Sequence, residues 1–429
     1  MKRRVVITGM GWVTPLGTEI DAVWKRLLNC ESGVTATGIF DARTFPTQFS
    51  SQVKNYDLRK FLGDRYDDHK DCSRQVAFAL GAAEMAWKSA NLGDGGGLEP
   101  AQVGVYLGGG EGPIDFENFV AAATAGWNPE KNELDTQRWA EVAYKRLTMV
   151  KEYEQDPNCA AGHLAYRFNA RGPNLNTLTA CAASTQAMGE ATELIRRGDA
   201  DVMISGGAHS MIHPLGVTGF NRLTALSTRN DSPTTASRPF DRTRDGFVLG
   251  EGSGMLILEE FEHAKRRGAK MLAEVVGFGS TADAFRVTDI HDQARGSSAA
   301  MRGAIEAAGL SPTDIHYISA HGTGTSENDK LETLGIKRVF GDHAKNVPIS
   351  SIKSMMGHLV AAAGAVELIT CVLAIRDQVL PPTSNFSEPD PNCDLDYIVN
   401  KSRPARVVNT LSNSFGFGGQ NDTLVVTAV

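Results

Sequence analysis

The chain alternates short apolar runs of β type with alanine-rich runs of helical length, and this alternation points to the α/β class. The β-type runs fall at 4–8, 103–107, 175–178, 202–205, 254–258, 273–277, 316–319, 348–350 and 423–427. Helical periodicity covers 21–29, 74–90, 184–197, 297–308 and 359–377. Strands interleaved with helices predict parallel pairing. No Pro/Ser-rich linker divides the chain, and 93–97 reads as a loop tip. There is also an internal echo: Ala191-Thr192-Glu193-Leu194-Ile195 matches Ala365-Val366-Glu367-Leu368-Ile369 at an offset of 174 (365 − 191). The turn before the first helix holds Ala180-Cys181-Ala182-Ala183, and the one before the second holds Ser354-Met355-Met356-Gly357-His358. Such an echo implies a duplicated α/β unit whose two central helices face one another.

With 429 residues the chain can bury a core without disulfides or metal. Its six cysteines, at 30, 72, 159, 181, 371 and 393, form no CxxC pair and no cluster with zinc spacing. They read as reduced thiols of a cytoplasmic protein. A formal net charge of −7 argues against a general nucleic-acid binder. The longest apolar stretch, 361–375, is too short to span a bilayer and contains Glu367, so a buried helix and no membrane insertion are expected. Arg3-Arg4 before Val5-Val6-Ile7 mimics a leader, but Gly9 and Gly11 interrupt the apolar run, which reads as a first buried strand.

Two glycine patterns invite a nucleotide reading and neither carries it far. Gly9-Met10-Gly11 lacks the third glycine of a dinucleotide fingerprint, and Gly250-Glu251-Gly252 precedes a strand where a helix would be needed. Cys181 is more informative, because it sits where a β-type run passes into a helix. The helix macrodipole there is expected to favour thiolate. His321, in Ala320-His321-Gly322-Thr323-Gly324-Thr325, ends a predicted strand, the place where α/β proteins put ligands. His358 opens the second echoing helix. The three residues together would supply a nucleophile and two groups for hydrogen bonding or proton transfer. Asn413-Ser414-Phe415-Gly416-Phe417-Gly418-Gly419 reads either as a tight connection between strands or as a backbone amide presented to an oxyanion. Finally, 135–156 places Trp139, Val142, Leu147, Val150 and Tyr153 near one helical face behind an Asp135-Thr136 cap. It is expected to lie on the core by that face and to roof a pocket.

Taken together these segments resemble the β-ketoacyl-acyl-carrier-protein synthases of the elongating synthase II type, within the thiolase superfamily. The resemblance runs nearly end to end, through Val5-Val6-Ile7-Thr8-Gly9-Met10-Gly11, Ala225-Leu226-Ser227-Thr228-Arg229-Asn230-Asp231, Asp245-Gly246-Phe247-Val248-Leu249-Gly250-Glu251-Gly252 and Phe415-Gly416-Phe417-Gly418-Gly419. It implies a duplicated thiolase fold in five layers, α-β-α-β-α, and a homodimer. The first half, 1–260, would carry the nucleophile and a cap region at about 113–158. The second, 261–429, would carry both histidines and the gating turn. By the same resemblance Cys181 is the nucleophile, His321 and His358 are catalytic, Lys353 and Glu367 support them, and the amides of Cys181 and Phe417 form the oxyanion site. Thr323 and Thr325 match hydroxyls that contact pantetheine, and Phe415 belongs to the substrate site. The implied reaction is decarboxylative condensation of malonyl-acyl-carrier protein with an acyl group on cysteine. It needs no cofactor beyond the phosphopantetheine of the acyl carrier protein. Alternatives are a polyketide-type ketosynthase and a non-catalytic chain-length-determining partner subunit, although the latter would lack the nucleophile.

Three departures from the pattern stand out. Glu111, in Gly108-Gly109-Gly110-Glu111-Gly112, stands where an apolar residue lines the acyl pocket. Read functionally, it would make that pocket polar or shorter. The 127–158 region is longer than expected. Thr224 replaces an arginine that helps dock the carrier, leaving Arg222, Arg59, Lys60, Arg65 and Lys70 as candidate cations.

Overall fold

The computed structural model describes residues 3–93, 98–112, 114–286 and 290–429. Most of the loop tip expected at 93–97, and the first residue of the cap region, lie outside the described residues. The fold is organised around ten strands: β1 Val5–Val13, β2 Val103–Gly108, β3 Asn174–Thr177, β4 Val202–His209, β5 Gly252–Glu260, β6 Ala273–Ala282, β7 Tyr317–Ser319, β8 Ile349–Ser350, β9 Asn409–Gly416 and β10 Gln420–Thr427. They hydrogen-bond in the order β8-β7-β9-β10-β6-β1-β5-β4-β2-β3. Each half shows the same pattern. In the first, β2 runs parallel to β3 and β4, and β5 is antiparallel to β4 and β1. In the second, β7 runs parallel to β8 and β9, and β10 is antiparallel to β9 and β6. Within the sheet the halves join where β1 pairs with β6, at Val6 with Glu274 and Ile7 with Ala273.

The expectation of parallel pairing therefore fails at five of the nine pairings of this sheet. Burial explains the miss. β1, β4 and β5 are buried at every position, so they read as uniform apolar runs of the kind that usually marks parallel strands. β9 escaped the sequence reading because its buried positions include Asn409, Thr410, Ser412, Asn413 and Ser414.

The helices that matter are α1 Ile20–Leu28, α2 Arg74–Ser89, α3 Phe116–Gly126, α4 Thr136–Arg146, α5 Met149–Tyr153, α6 Cys159–Phe168, α7 Ala183–Arg197, α8 Pro214–Arg222, α9 Arg295–Ala307, α10 Ser326–Phe340 and α11 Ala363–Asp377. α2 covers the outer face of β1 and β5 with α6 beside it, and α9 covers β6 and β10 with α10 beside it. Between the two half-sheets lie α7 and α11, each touching strands of both halves. The layers are α-β-α-β-α, the duplicated thiolase arrangement. α11 is buried from Ala363 to Ile375, as an apolar helix enclosed on all sides must be.

The duplication is real, but its register differs from the echo. α7 and α11 each have 15 residues and follow a single 3-10 turn, Ala180–Ala182 and Val360–Ala362. Each turn begins at a non-glycine residue with positive φ, 48° at Ala180 and 43° at Val360. Ala180 thus corresponds to Val360, an offset of 180, so the 174-residue match was a coincidence between two alanine-rich helices.

Gly9 and Gly11 lie inside β1, which continues past them to Val13. A Cβ on Gly9 would stand 2.1 Å from the Ala86 carbonyl oxygen, and one on Gly11 would stand 2.3 Å from that of Ala82. These glycines serve close packing of α2 on the sheet. The 135–156 segment is also corrected. It forms two helices, α4 and α5, rather than one. Asp135 does cap the first, accepting from the Gln137 and Arg138 amides at 3.0 and 3.1 Å. α4 packs on α3 in a hairpin away from the core, and Val150 and Tyr153, on α5, are exposed rather than buried. Glu154 anchors the end of this arm, accepting from the Ser73 amide at 2.8 Å and facing His163 Nε2 at 2.8 Å.

Replacing Gly11 with alanine should lower the free energy of unfolding by about 1–3 kcal/mol, the usual cost of overpacking. Urea denaturation monitored by circular dichroism measures this, and an unchanged midpoint would contradict the packing role.

Candidate active site

The duplication itself assembles the site. The turns Ala180–Ala182 and Val360–Ala362 touch each other between the half-sheets. Cys181 sits on the first, with Ala361 in the equivalent place on the second. His358 lies two residues before Val360 and so arrives beside Cys181. His321 enters just beyond the end of β7. The Cys181 Sγ and one ring nitrogen of each histidine all lie within 4.8 Å of one another, and all three residues are buried. The histidine rings meet edge to face with centroids 5.4 Å apart, flanked by Phe247 against His358 and Phe415 against His321.

Backbone contacts set the tautomers. The Val360 amide donates to His358 Nδ1 at 3.2 Å. An accepting Nδ1 has no proton, so the neutral ring carries its proton on Nε2. That Nε2 is buried and has no protein partner. Lys353 Nζ faces His321 Nδ1 at 3.5 Å and donates to the His321 carbonyl oxygen at 2.6 Å. Both imidazoles are held well below the usual histidine range, first by burial and then by the Lys353 charge. The site therefore presents two neutral N–H donors, not imidazolium ions.

Lys353 is almost wholly buried and pairs with Glu367, also buried, on α11. Burial raises the Glu367 carboxyl, and the ammonium in contact with it pulls the other way. Glu332 on α10 accepts from the amides of His321 and Gly322 at 2.9 and 2.8 Å, which fixes the loop that carries His321. Asn413 adds a third donor to Glu332 at 3.2 Å. The sequence reading missed α10 and with it Glu332. The signal was present in Thr325-Ser326-Glu327-Asn328-Asp329, where acidic residues in a first turn announce a helix start.

One expectation about Cys181 is reversed. The helix that follows it was expected to favour thiolate. Burial instead pushes the thiol up to about 12, against the Lys353 charge and a hydrogen bond from the Phe417 amide, which lower it. That amide already points at the sulfur. It belongs to the tight β9–β10 connection, where Gly418 and Gly419 take φ of 91° and 78°.

A cavity of about 940 Å³ opens from Cys181, His321 and His358 to the surface. Thr323 and Thr325 line it, their hydroxyls 2.9 Å apart, and so do Phe415 and Phe417. Cys181 with two histidines could in principle ligate a metal ion. The hydrogen bonding runs against it. A ligating histidine donates through its second nitrogen, whereas His358 Nδ1 accepts, leaving the proton on the nitrogen that would have to coordinate.

Residues 2–264 match the family model described as the β-ketoacyl synthase N-terminal domain, and residues 272–387 match the C-terminal domain. The chain belongs to the β-ketoacyl synthase family. Over 430 residues it is 42% identical to a 3-oxoacyl-[acyl-carrier-protein] synthase 2 of Coxiella burnetii, covering 100% of this chain and 99% of that protein. Among solved structures it resembles a β-ketoacyl synthase from Burkholderia phymatum, with a TM-score of 0.89 and 33% identity over 100% of both chains. It also resembles a chain of a type II polyketide acyl-carrier protein complex with its ketosynthase bound to a hexaketide, with a TM-score of 0.86 and 35% identity over 100% of both chains.

Within this ketosynthase, two sequence-predicted groups fall away from the cavity. Glu111 is exposed just beyond β2 and does not line it, although its charge still raises the Cys181 thiol. Arg59, Lys60, Arg65 and Lys70 are exposed beside α2, whereas the cations lining the cavity are Arg286, Lys330 and Lys337.

Because the buried thiol ionises only far above neutrality, alkylation of Cys181 by iodoacetamide should climb about tenfold per pH unit and show no plateau near neutral pH. Peptide mapping of the modified cysteine across pH tests this, and a plateau near neutrality would show a stabilised thiolate.

Proposed function

We propose that this chain is an elongating condensing enzyme that joins malonyl-acyl-carrier protein to an acyl group held on Cys181. The observation that carries the reading is the buried thiol beside two neutral imidazoles whose free Nε2–H donors converge on one cavity. Cys181 attacks the thioester of an acyl carrier protein, and the tetrahedral oxyanion forms against the amides of Cys181 and Phe417. The thiol proton leaves with the departing pantetheine. Malonyl-carrier protein then enters past Thr323 and Thr325, and loss of carbon dioxide leaves an enolate. His321 and His358 donate hydrogen bonds to its oxygen, which neutral N–H tautomers can do without first losing a proton. The carbanion attacks the acyl-enzyme carbonyl, the Cys181 sulfur departs and is reprotonated, and the product is a β-ketoacyl thioester two carbons longer.

No cofactor is required beyond the phosphopantetheine on the carrier. Lys353 and Glu367 act through the histidines. The units are the halves 1–260 and 261–429. The protein works as a homodimer, joined through the edge strand β3, whose exposed Leu175 and the nearby exposed Leu178 would be covered by a second copy. It acts in the cytoplasm. Among the described residues no helix is long and apolar enough to cross a membrane. A non-catalytic partner role is disfavoured, because Cys181, His321 and His358 are all present and assembled.

Incubation with acyl-carrier protein should place one acyl group on Cys181, detected by mass spectrometry, and Cys181→Ala should abolish the adduct. His321→Ala and His358→Ala should retain the adduct yet slow condensation by about a hundredfold or more, as expected when an oxyanion donor is lost. Loading on another residue, or undiminished condensation, would overturn the assignment. Because Glu111 is exposed and outside the cavity, Glu111→Ile should leave the range of acyl lengths accepted unchanged, and an altered profile would return Glu111 to the acyl pocket.

A further inference from the structure

The arm formed by α3, α4 and α5 returns to the body at Glu154, and the contact made there is a relay of three titratable groups. Glu154 is buried, faces His163 Nε2 on α6 at 2.8 Å and accepts from the Ser73 amide, at the start of α2, at 2.8 Å. The other ring nitrogen of His163, Nδ1, lies 2.7 Å from Nδ1 of His69. His69 is 1% exposed, and its ring tilts against that of His163 with centroids 5.0 Å apart. Its Nε2 is buried without a partner. His69 follows the 3-10 turn Gly63–Asp68, so the relay ties the arm to the segment that holds Arg65 and Lys70.

Two ring nitrogens at that separation hold one proton between them, because one must donate and the other accept. Burial raises the Glu154 carboxyl, but the bonds from His163 and Ser73 outweigh it, so the group is ionised. Glu154 therefore faces a proton on His163 Nε2. His163 is then either neutral and accepts from His69 Nδ1–H, or doubly protonated and donates to His69 Nδ1. Passing from the first form to the second adds one proton. It enters at His69 Nε2 while the shared proton moves to His163, beside Glu154. A further proton has no place, since it would set N–H against N–H across the gap with two positive charges in contact.

We propose that the Glu154–His163–His69 relay is an acid-sensitive latch, which fastens the arm to the body at neutral pH and releases it when both histidines carry a charge. Burial, and after it the His163 charge, hold His69 down to about 4. Asp68 favours the charged form of His69, whereas Arg167 on α6 and Arg65 oppose it. Arg65 pairs with Asp68, Arg167 pairs with Glu84, and Tyr166 meets the His69 ring edge to face. The Cys72 and Cys159 thiols near Glu154 are pushed up by burial to about 12 and about 11, so they stay uncharged in this range. An imidazole free of the latch titrates near about 6.5. The latched form thus binds fewer protons below that pH, and its advantage is lost as pH falls from about 6.5 toward about 4.

The test is hydrogen exchange of the full-length protein at about pH 7.5 and about pH 5.5, read as protection relative to an unstructured peptide at the same pH. Segments 63–73 and 149–162 should be about tenfold less protected at the lower pH, the factor that titration between about 6.5 and about 4 supplies there. Strand β1 should keep its protection. His69→Gln, which can hydrogen-bond but does not titrate, should show the same protection at both pH values. Equal protection of the two segments in the unaltered protein, a drop that survives in His69→Gln, or an equal drop in β1 would overturn the proposal. Should His69→Gln fail to fold, Glu154→Gln tests the same relay. Without a carboxylate beside His163 the added proton is no longer held, so the loss of protection should begin at a higher pH. An unchanged pH profile in that variant would rule the latch out.

Discussion

Lys353 brings a positive charge into a closed, largely apolar interior, and much of the surrounding structure answers the demands of that charge. A buried ammonium is costly unless it is paired and hydrogen-bonded. Glu367 provides the counter-charge and the His321 carbonyl provides an acceptor. Glu367 can do so only because α11 runs through the centre of the molecule, buried on every side. Burial first, and this charge after it, keeps both imidazoles neutral. Neutral rings with their outer nitrogens protonated can donate hydrogen bonds to an oxyanion without being acidic enough to protonate it outright. A pair of this kind contributes little to stability. Its value lies in the protonation state it imposes.

The duplicated fold explains why these groups meet at all. Two copies of one strand-turn-helix unit place their turns against each other between the half-sheets. One copy carries Cys181, and the other carries alanine at the equivalent position. The second copy contributes His358 from the approach to its turn. His321 comes from the end of β7 in the same half and is held by Glu332 on the helix beyond it. The site is thus built from two related elements that have diverged in role, with the apolar helices α7 and α11 packed between them. Close packing by glycine recurs, at Gly9 and Gly11 under α2 and at Gly108, where a Cβ would meet the Ser184 amide.

Much of this was legible in the residues. Cys181, His321, His358, Lys353 and the Phe415 to Gly419 turn sit in short motifs whose local context predicts strand ends and helix starts. The structure brings Cys181, both histidines and the turn together around one cavity, with Lys353 buried beside His321. The resemblance of those motifs also anticipated the layers. Strand direction was not legible, because a strand covered by helices on both faces reads the same whether its neighbours are parallel or antiparallel. β9 was hidden because a buried strand here carries polar residues that pair across the sheet. The arm formed by α3, α4 and α5 showed its helical period but not its partner, since a single apolar stripe does not reveal whether it meets the core or another helix.

The sequence by itself determined the class of fold and the motifs that hold the candidate reacting groups, because these depend on residue types and local spacing; it reached the duplication through the family resemblance and not through its own spacing. The tertiary structure alone decided the register of the duplication, the protonation of the two histidines and the state of the thiol. Each of those depends on burial and on charges brought close by contacts between distant parts of the chain. Cys181 shows the difference most clearly. Its position before a helix favours thiolate, yet the enclosure that the whole fold creates around it outweighs that local effect and keeps the resting group a thiol.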